Sequence, residues 1–375
     1  MPDDPQPDAP ASEALEDPIP HSYPDIGAKE IEAVRASMEA GWIGQGPGVA
    51  QLEDAAGGLL GLPDHRGLAL SSGTAALYAG LRALGVGPGN EVLVAAYACA
   101  SLRQAVMYVG ATPIFIDCDP VTFNPDPEDA HRKLSAETAA SIVPHMFGLP
   151  ADIEAFVELG PPVIEDCAQT VGVRLGDRVA GSFGALTVCS FHATKPIGGG
   201  NGGMLLSQDS GLLAKAAELR DCEDPRGNDL AFNFKMSDLH AAIAHVQLRR
   251  LPELLDRRRE LAAHHRAALQ DAGVDLPPEA NDREHGWWRF IVTADVTDLE
   301  ALLEACRRHG VSCDRPVGRL VREVVNGLDD LPGCRQAWQQ ACSIPLYPAL
   351  SDERATQAVE RFKAALEEHR AASTG

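Results

Sequence analysis

Apolar and polar positions along the chain follow two successive rhythms. From Ala28 the apolar residues Ile31, Val34 and Met38 recur at helical spacing, and Gly41 stands where such a helix would end. After Leu68 the rhythm changes. Ser71-Ser72-Gly73-Thr74 opens a helix carrying Leu77, Leu81 and Leu84, which stops at Gly85. Short β-rich runs follow at 91–96, 112–117, 141–144, 163–166, 186–191 and 204–207, with helical stretches such as 152–159 between some of them. Strands alternating with helices predict βαβ units and a mostly parallel sheet covered on both faces.

A second regime begins after about Ser237. One long helical region runs to about Ala272, broken near Pro252 and ended by Gly273. Beyond it the pattern predicts a strand at 287–292, a helix opened by a Thr297-to-Glu300 capping box, a short strand near 343–346 and a final helix from Ser351. The expected organisation is therefore a large α/β domain over 21–250 and a smaller α+β domain over 251–375. Residues 1–20 hold six prolines, six acids and no Lys or Arg. Such a segment cannot bury enough apolar surface to offset chain entropy and reads as a disordered tail, with order beginning between Ile19 and Pro24.

Composition narrows the partners. The 375 residues carry 32 bases against 54 acids, a formal net charge of −22, and 45% of them are apolar, enough for a large core. Nucleic-acid binding needs clustered cations that release counterions, so this balance argues against it, and against adhesion to an anionic membrane. No run is long and apolar enough to span a bilayer, and the N-terminus lacks a signal-peptide pattern. A cytoplasmic enzyme or binding protein is the class that remains. Nine cysteines, an odd number with no Cys-x-x-Cys pair, read as buried reduced thiols.

Three segments carry candidate chemistry. Ser72-Gly73-Thr74 feeds a helix N-terminus, where free N–H groups and the helix dipole can seat a phosphate; on its own the turn reads first as an N-cap. Val163-Ile164-Glu165-Asp166 is an apolar strand ending in carboxylates, at the edge where open α/β sheets place ligands. Glu165 and Asp166 must face opposite ways because strand side chains alternate, and a helix-cap role competes for Asp166. Lys195 follows another apolar strand in a stretch without a neighbouring acid. A lysine there either snorkels to solvent, the simpler reading of that segment alone, or is held deprotonated enough to act as a nucleophile. Gly198, Gly200 and Gly203 formally satisfy G-x-G-x-x-G, but the run precedes a strand instead of joining a strand to a helix, so a dinucleotide site is rejected. Together the phosphate seat, the strand-end Asp166 and the strand-end Lys195 make a constellation for pyridoxal 5'-phosphate (PLP): an amine for the Schiff base, an anion for the pyridine nitrogen and donors for the phosphate.

The chain also resembles the DegT/DnrJ/StrS family of PLP-dependent sugar aminotransferases. The resemblance runs from about Ile19 to the end, through segments 41–47, 72–77, 87–92, 145–148, 165–169, 190–195, 233–238 and 346–348 in the expected order and spacing. It implies a type I aminotransferase fold, working as a homodimer with shared active sites. It assigns the cofactor linkage to Lys195 and the pyridinium partner to Asp166. Gln169 is implied near the ring, Ser190 and the Gly73–Thr74 backbone at the phosphate, and Lys235 at the phosphate of the neighbouring subunit.

Two positions depart from the family pattern. Cys99 stands where an aromatic residue commonly stacks on the ring, and Tyr97, two residues earlier, is the expected substitute. Asn201 replaces the glutamate of a Gly-Glu-Gly-Gly loop. Members with His at the lysine position dehydrate sugars, so Lys195 implies transamination, from glutamate to a keto-sugar, with nucleotide-linked sugars the commonest acceptors. A PLP-dependent sugar dehydratase and a non-catalytic PLP-binding regulator are the alternatives. Adjacent His264 and His265 read as solvated helix surface. His192 borders the site or packs in the strand. Trp287 and Trp288 read as small-domain core and edge, and Arg289 as a minor candidate for a substrate carboxylate or phosphate.

Overall fold

The computed structural model describes residues 17–223, 230–279, 281–318, 327 and 330–373. Residues 1–16 of the acidic tail lie outside the described residues. The first helices are α1 (Ala28–Glu39) and α2 (Pro47–Leu59). They lead into the alternating region: β1 (Arg66–Leu70), α3 (Gly73–Ala83), β2 (Glu91–Ala95), α4 (Ala100–Tyr108), β3 (Thr112–Ile116), α5 (Pro127–Lys133), β4 (Thr138–Pro144), α6 (Ile153–Glu158) and β5 (Val163–Asp166). A small hairpin, β6 (Arg174–Leu175) and β7 (Arg178–Val179), precedes β8 (Leu186–Ser190), β9 (Gly203–Ser207) and α7 (Ser210–Ala217).

Seven strands form one sheet in the order β1-β9-β8-β5-β4-β2-β3. Only β9 runs against the rest, pairing antiparallel with both β1 and β8. The sheet is therefore mostly parallel, as the alternation predicts. Its inner strands are buried on both faces, which explains their continuous apolar runs. α3 lies against it almost wholly buried, and Gly80 brings the helix onto Leu186, Leu205 and Ile164.

The long helical region is two helices, α8 (Asp238–Arg249) and α9 (Leu251–Leu269), with Pro252 in the first turn of α9, where its missing N–H costs nothing. The C-terminal elements are β10 (Phe290–Thr293), α10 (Leu299–Arg308), α11 (Pro332–Gln340), β11 (Ala341–Ile344) and α12 (Asp352–Ser373). They share a core of Leu261, Phe290, Leu302 and Phe362, into which Ile19 is inserted. Ile19 is held there by backbone bonds to Gly310 and Ser312.

Several expectations shift locally. The strand expected from 287 begins at Phe290, because Trp287 adopts a left-handed φ of 47° and stacks on His285 instead of extending. The helix expected from a Thr297 box is capped by Asp298, whose carboxylate accepts from Ala301 N, while Glu300 pairs with Arg315. His265 is fully buried and bonded to the Pro345 carbonyl, not solvated; its pKa is lowered to about 4 by burial. On α1, Ile31 and Met38 point outward, 64% and 57% exposed. The residue α1 buries is Glu30, which accepts from Gly27 N, Gln247 and Arg250 and so ties α1 to α8. All nine cysteines are unpaired, and Cys99 and Cys222 are exposed.

Candidate active site

An open cavity of about 650 Å³ lies at the ends of β1, β5 and β8, with Gly73, Thr74, Cys99, Asp166, Ser190 and Lys195 on its walls. Each wall has a local cause. Ser72 caps α3 by accepting from Ala75 N at 3.1 Å. The N–H groups of Gly73 and Thr74, in the first turn, have no partner within the helix, and they sit at its positive end. The N-cap and phosphate-seat readings are thus compatible, since the cap satisfies one donor and leaves others free. Gly73 is needed for closeness: a Cβ there would stand 3.1 Å from Ser190 Cβ. That contact puts the Ser190 hydroxyl beside the turn.

β5 delivers two adjacent carboxylates to opposite faces, as alternation requires. Glu165, fully buried, accepts from the backbone N–H groups of Gly181, Phe183 and Gly184 at 2.6–2.8 Å. It also meets His145 Nε2 at 3.2 Å. Because Ala151 N donates to His145 Nδ1, the ring proton sits on Nε2 and points at Glu165. Burial works to raise the Glu165 pKa, but the hydrogen bonds from His145 and the loop hold it below the ordinary value. Asp166 has one bond, from Ala168 N at 3.0 Å, and faces the cavity. Burial raises its pKa against the attraction of Lys195.

Lys195 follows β8 in a loop closed by its own N–H to the His192 carbonyl. Its Nζ stands 4.4 Å from the centroid of the Trp288 ring and has no hydrogen-bond acceptor among the described residues. Burial lowers its pKa from the ordinary 10.5, and Arg289 adds to the effect, while Cys99 and Asp166 oppose it. The amine is therefore held toward its free-base form instead of snorkelling to solvent. Trp288 fixes the loop by donating from its indole N–H to the Thr194 carbonyl at 2.7 Å.

The other sequence candidates divide. Cys99 stands at the N-cap position of α4 without a side-chain cap bond and is exposed on the cavity wall, with Ser101, His192 and Asn201 also lining it. Tyr97 cannot stand in for an aromatic platform. The strand ends at Ala95, and Tyr97 is buried against Phe123 in the core, with its hydroxyl 3.4 Å from the Ala337 carbonyl. Gln169 is off the wall, its Oε1 accepting from Phe147 N at 2.7 Å. Lys235 is also away from the cavity of its own chain and pairs with Asp221 at 2.7 Å and Glu223 at 3.3 Å. Trp288 is the residue that sequence reasoning undervalued. Its tryptophan doublet was visible, but not its contact with a loop some ninety residues earlier.

Comparison with known proteins gives this geometry its context. The model of the DegT/DnrJ/EryC1/StrS aminotransferase family matches residues 24–363. The dTDP-4-dehydro-2,3,6-trideoxy-D-glucose 4-aminotransferase of Saccharopolyspora spinosa is 30% identical, over 92% of this chain and 96% of its own. The spore coat polysaccharide biosynthesis protein SpsC of Bacillus subtilis is 29% identical over the same shares. Among solved structures, the aminotransferase TlmJ from Streptoalloteichus hindustanus superimposes with a TM-score of 0.87 at 30% identity, covering 93% of this chain and 99% of that one. The chain belongs to the DegT/DnrJ/EryC1/StrS aminotransferase family, and it is an enzyme with that family's fold and a PLP requirement.

Proposed function

We propose that this aminotransferase moves an amino group from glutamate to the keto group of a nucleotide-linked sugar, with Lys195 and Asp166 as its working pair. The observation that carries the reading is convergence. A free-base-leaning lysine, a buried carboxylate with spare acceptor capacity and a helix N-terminus with free donors face one cavity. These residues fit PLP, which supplies an aldehyde that captures amines and a ring that takes up the electrons released when a substrate C–H bond breaks. The Gly73 and Thr74 N–H groups and the Ser190 hydroxyl would hold its phosphate, and Asp166 would keep its ring nitrogen protonated. Cys99 lies on the wall where the ring would be covered, and Gln169 is held by Phe147 N away from that wall. Lys195 would be the base that moves a proton on and off the substrate carbon. A lysine performs this task in both directions, which favours transamination over dehydration or a purely regulatory role.

The reading extends to a homodimer with shared sites. Ile31, Met38, Trp42 and Ile43 leave a broad apolar surface exposed at the N-terminal helices, and Lys235 has no role at the cavity of its own chain. In this arrangement Lys235 of each subunit serves the phosphate of the other. No described helix is long and apolar enough to cross a membrane. With the acidic balance, this supports a cytoplasmic enzyme whose partners are small molecules, not nucleic acid or lipid.

Subunit complementation tests the reading. Lys195→Ala is expected to abolish 2-oxoglutarate formation from glutamate and the visible absorbance of the bound cofactor. Mixing it with Lys235→Ala under conditions that exchange subunits should restore activity, because one site per mixed dimer is then intact. Undiminished turnover in Lys195→Ala would sink the catalytic assignment, and failure of the mixture to recover would sink the shared site.

A further inference from the structure

Lys195 has a second face. Besides the Asp166 cavity it borders a smaller cleft, whose walls include His21 before α1, the lysine loop, Arg258 of α9, Trp288–Arg289 at the entrance to β10, and the chain from Ser343 to Pro348. The cleft is cationic. Arg258 Nη1 donates to the carbonyls of Trp287 and Trp288, both at 3.1 Å, and its buried Nε has no partner among the described residues. Arg289 Nη1 lies 2.6 and 2.7 Å from the ring nitrogens of His21, and its Nε is likewise buried without a partner among the described residues. No carboxylate among the described residues forms an ion pair with either guanidinium. Asp25, the acid on the same wall, is paired with Arg250 at 2.8 Å.

His21 does not supply the missing charge. Burial, with help from Arg289, drives its pKa down to about 3, so it is neutral and only orients the guanidinium. Burial likewise lowers Arg289 and Arg258 to about 10. Asp314 and Asp25 act on Arg289 and Arg258 only through space, without an ion pair, and a largely buried cation that lacks a contacting counter-ion is costly, a cost relieved when a ligand brings the opposite charge.

The position of the arginine limits what that ligand can be. Lys195 Nζ and Arg289 Cζ each stand 4.4 Å from the centroid of the same Trp288 ring. Both groups line one cleft and the arginine's charge is felt at the lysine, close enough for one small molecule to bring an amine to the lysine and an anion to the arginine. A guanidinium edge matches a planar carboxylate through paired N–H donors. The phosphate donors of the site lie across the other cavity, at Gly73 and Ser190.

We infer that Arg289 is the seat of a carboxylate of the amino-acid donor, with Trp288 as the platform that sets its distance from Lys195. The inference rests on the aminotransferase reading above and names the residue that selects the donor.

Calorimetry with the holoenzyme tests it, using glutarate as an unreactive dicarboxylate and dTDP as a probe of the sugar-nucleotide side. Arg289→Gln is expected to weaken glutarate binding roughly ten- to hundredfold and to raise the glutamate concentration giving half-maximal single-turnover rate by a similar factor. Arg289→Lys should recover part of the loss, and dTDP binding should not change. Unchanged glutarate affinity in Arg289→Gln would overturn the inference. So would an equal loss for glutarate and dTDP, which marks a structural role, or a loss confined to dTDP, which places the anion on the acceptor. The visible cofactor band separates the two levels. If it persists in Arg289→Gln while glutarate binding is unchanged, only the donor seat fails; if the wild type never shows it, the reading of the site fails.

Discussion

Glu165 and Asp166 are chemically near-identical neighbours on one strand, and their surroundings make them opposites. Glu165 faces a loop that spends three backbone N–H groups and a histidine on it. Asp166 faces a cavity and receives one N–H. The first is a staple for residues 181–184; the second keeps lone pairs for something else. A buried carboxylate whose acceptors are all engaged holds structure, whereas one left short of donors marks a place where a ligand completes the bonding.

The largest expected effect comes from the underused partner. Asp166→Asn should lower the glutamate half-reaction roughly a hundred- to thousandfold, measured by single-turnover spectroscopy, because the proposed role of Asp166 is a preorganised charge at the cofactor ring. The fold should survive. Glu165→Gln should do the reverse. An amide presents one acceptor oxygen in place of two, so backbone donors of the 181–184 loop are left buried and unpaired, at a cost of about 2–4 kcal/mol in chemical denaturation. Per folded molecule, activity should fall far less than for Asp166→Asn. Equal losses of activity in the two variants would erase the distinction.

The smallest effect is in pH dependence, and its sign differs between the two. Glu165 has a folded pKa below its ordinary 4.5, so its contribution is present above that value and lost as pH falls through the folded one. Asp166 has a folded pKa above its ordinary 3.8, so it favours the fold at low pH and loses that contribution as pH rises. In the cofactor-free protein, the deficit of Glu165→Gln should shrink on acidification. Asp166→Asn should be as stable as the wild type at acid pH and more stable near neutrality. Stability curves of the same sign would refute this reading.

Much of this contrast was legible in the chain. Strand alternation alone separates Glu165 from Asp166, and the turn at Ser72–Gly73 and the lysine after β8 are continuous segments whose chemistry is local. Motif spacing then joined them. What stayed hidden is assembled from residues that only the fold brings together. His21, Lys195, Arg258 and Arg289 share a cleft although the outermost two are 268 positions apart. Trp288 looked like core packing because its indole contact belongs to Thr194. Tyr97 fails as a substitute for a simpler reason: the strand stops at Ala95, so a two-residue spacing no longer puts it on the same face as Cys99. Ile31 and Met38 keep the expected spacing, but periodicity gives a common face without saying what that face meets.

The edge strand β1 has one further consequence. Its only partner in the sheet is β9, with Arg66 opposite Ser207 and Leu70 opposite Gly203, and an isolated bridge ties Ser72 to Gly202. During synthesis, β1 and the turn behind it wait for a segment made more than a hundred residues later. A nascent chain that ends before Gly203 therefore has the helix that would bear the anion seat but no strand to anchor its first turn. Assembly of that turn is a late event set by a long loop closure; with the turn as the proposed phosphate seat, the ability to retain cofactor would arise after most of the parallel strands already exist.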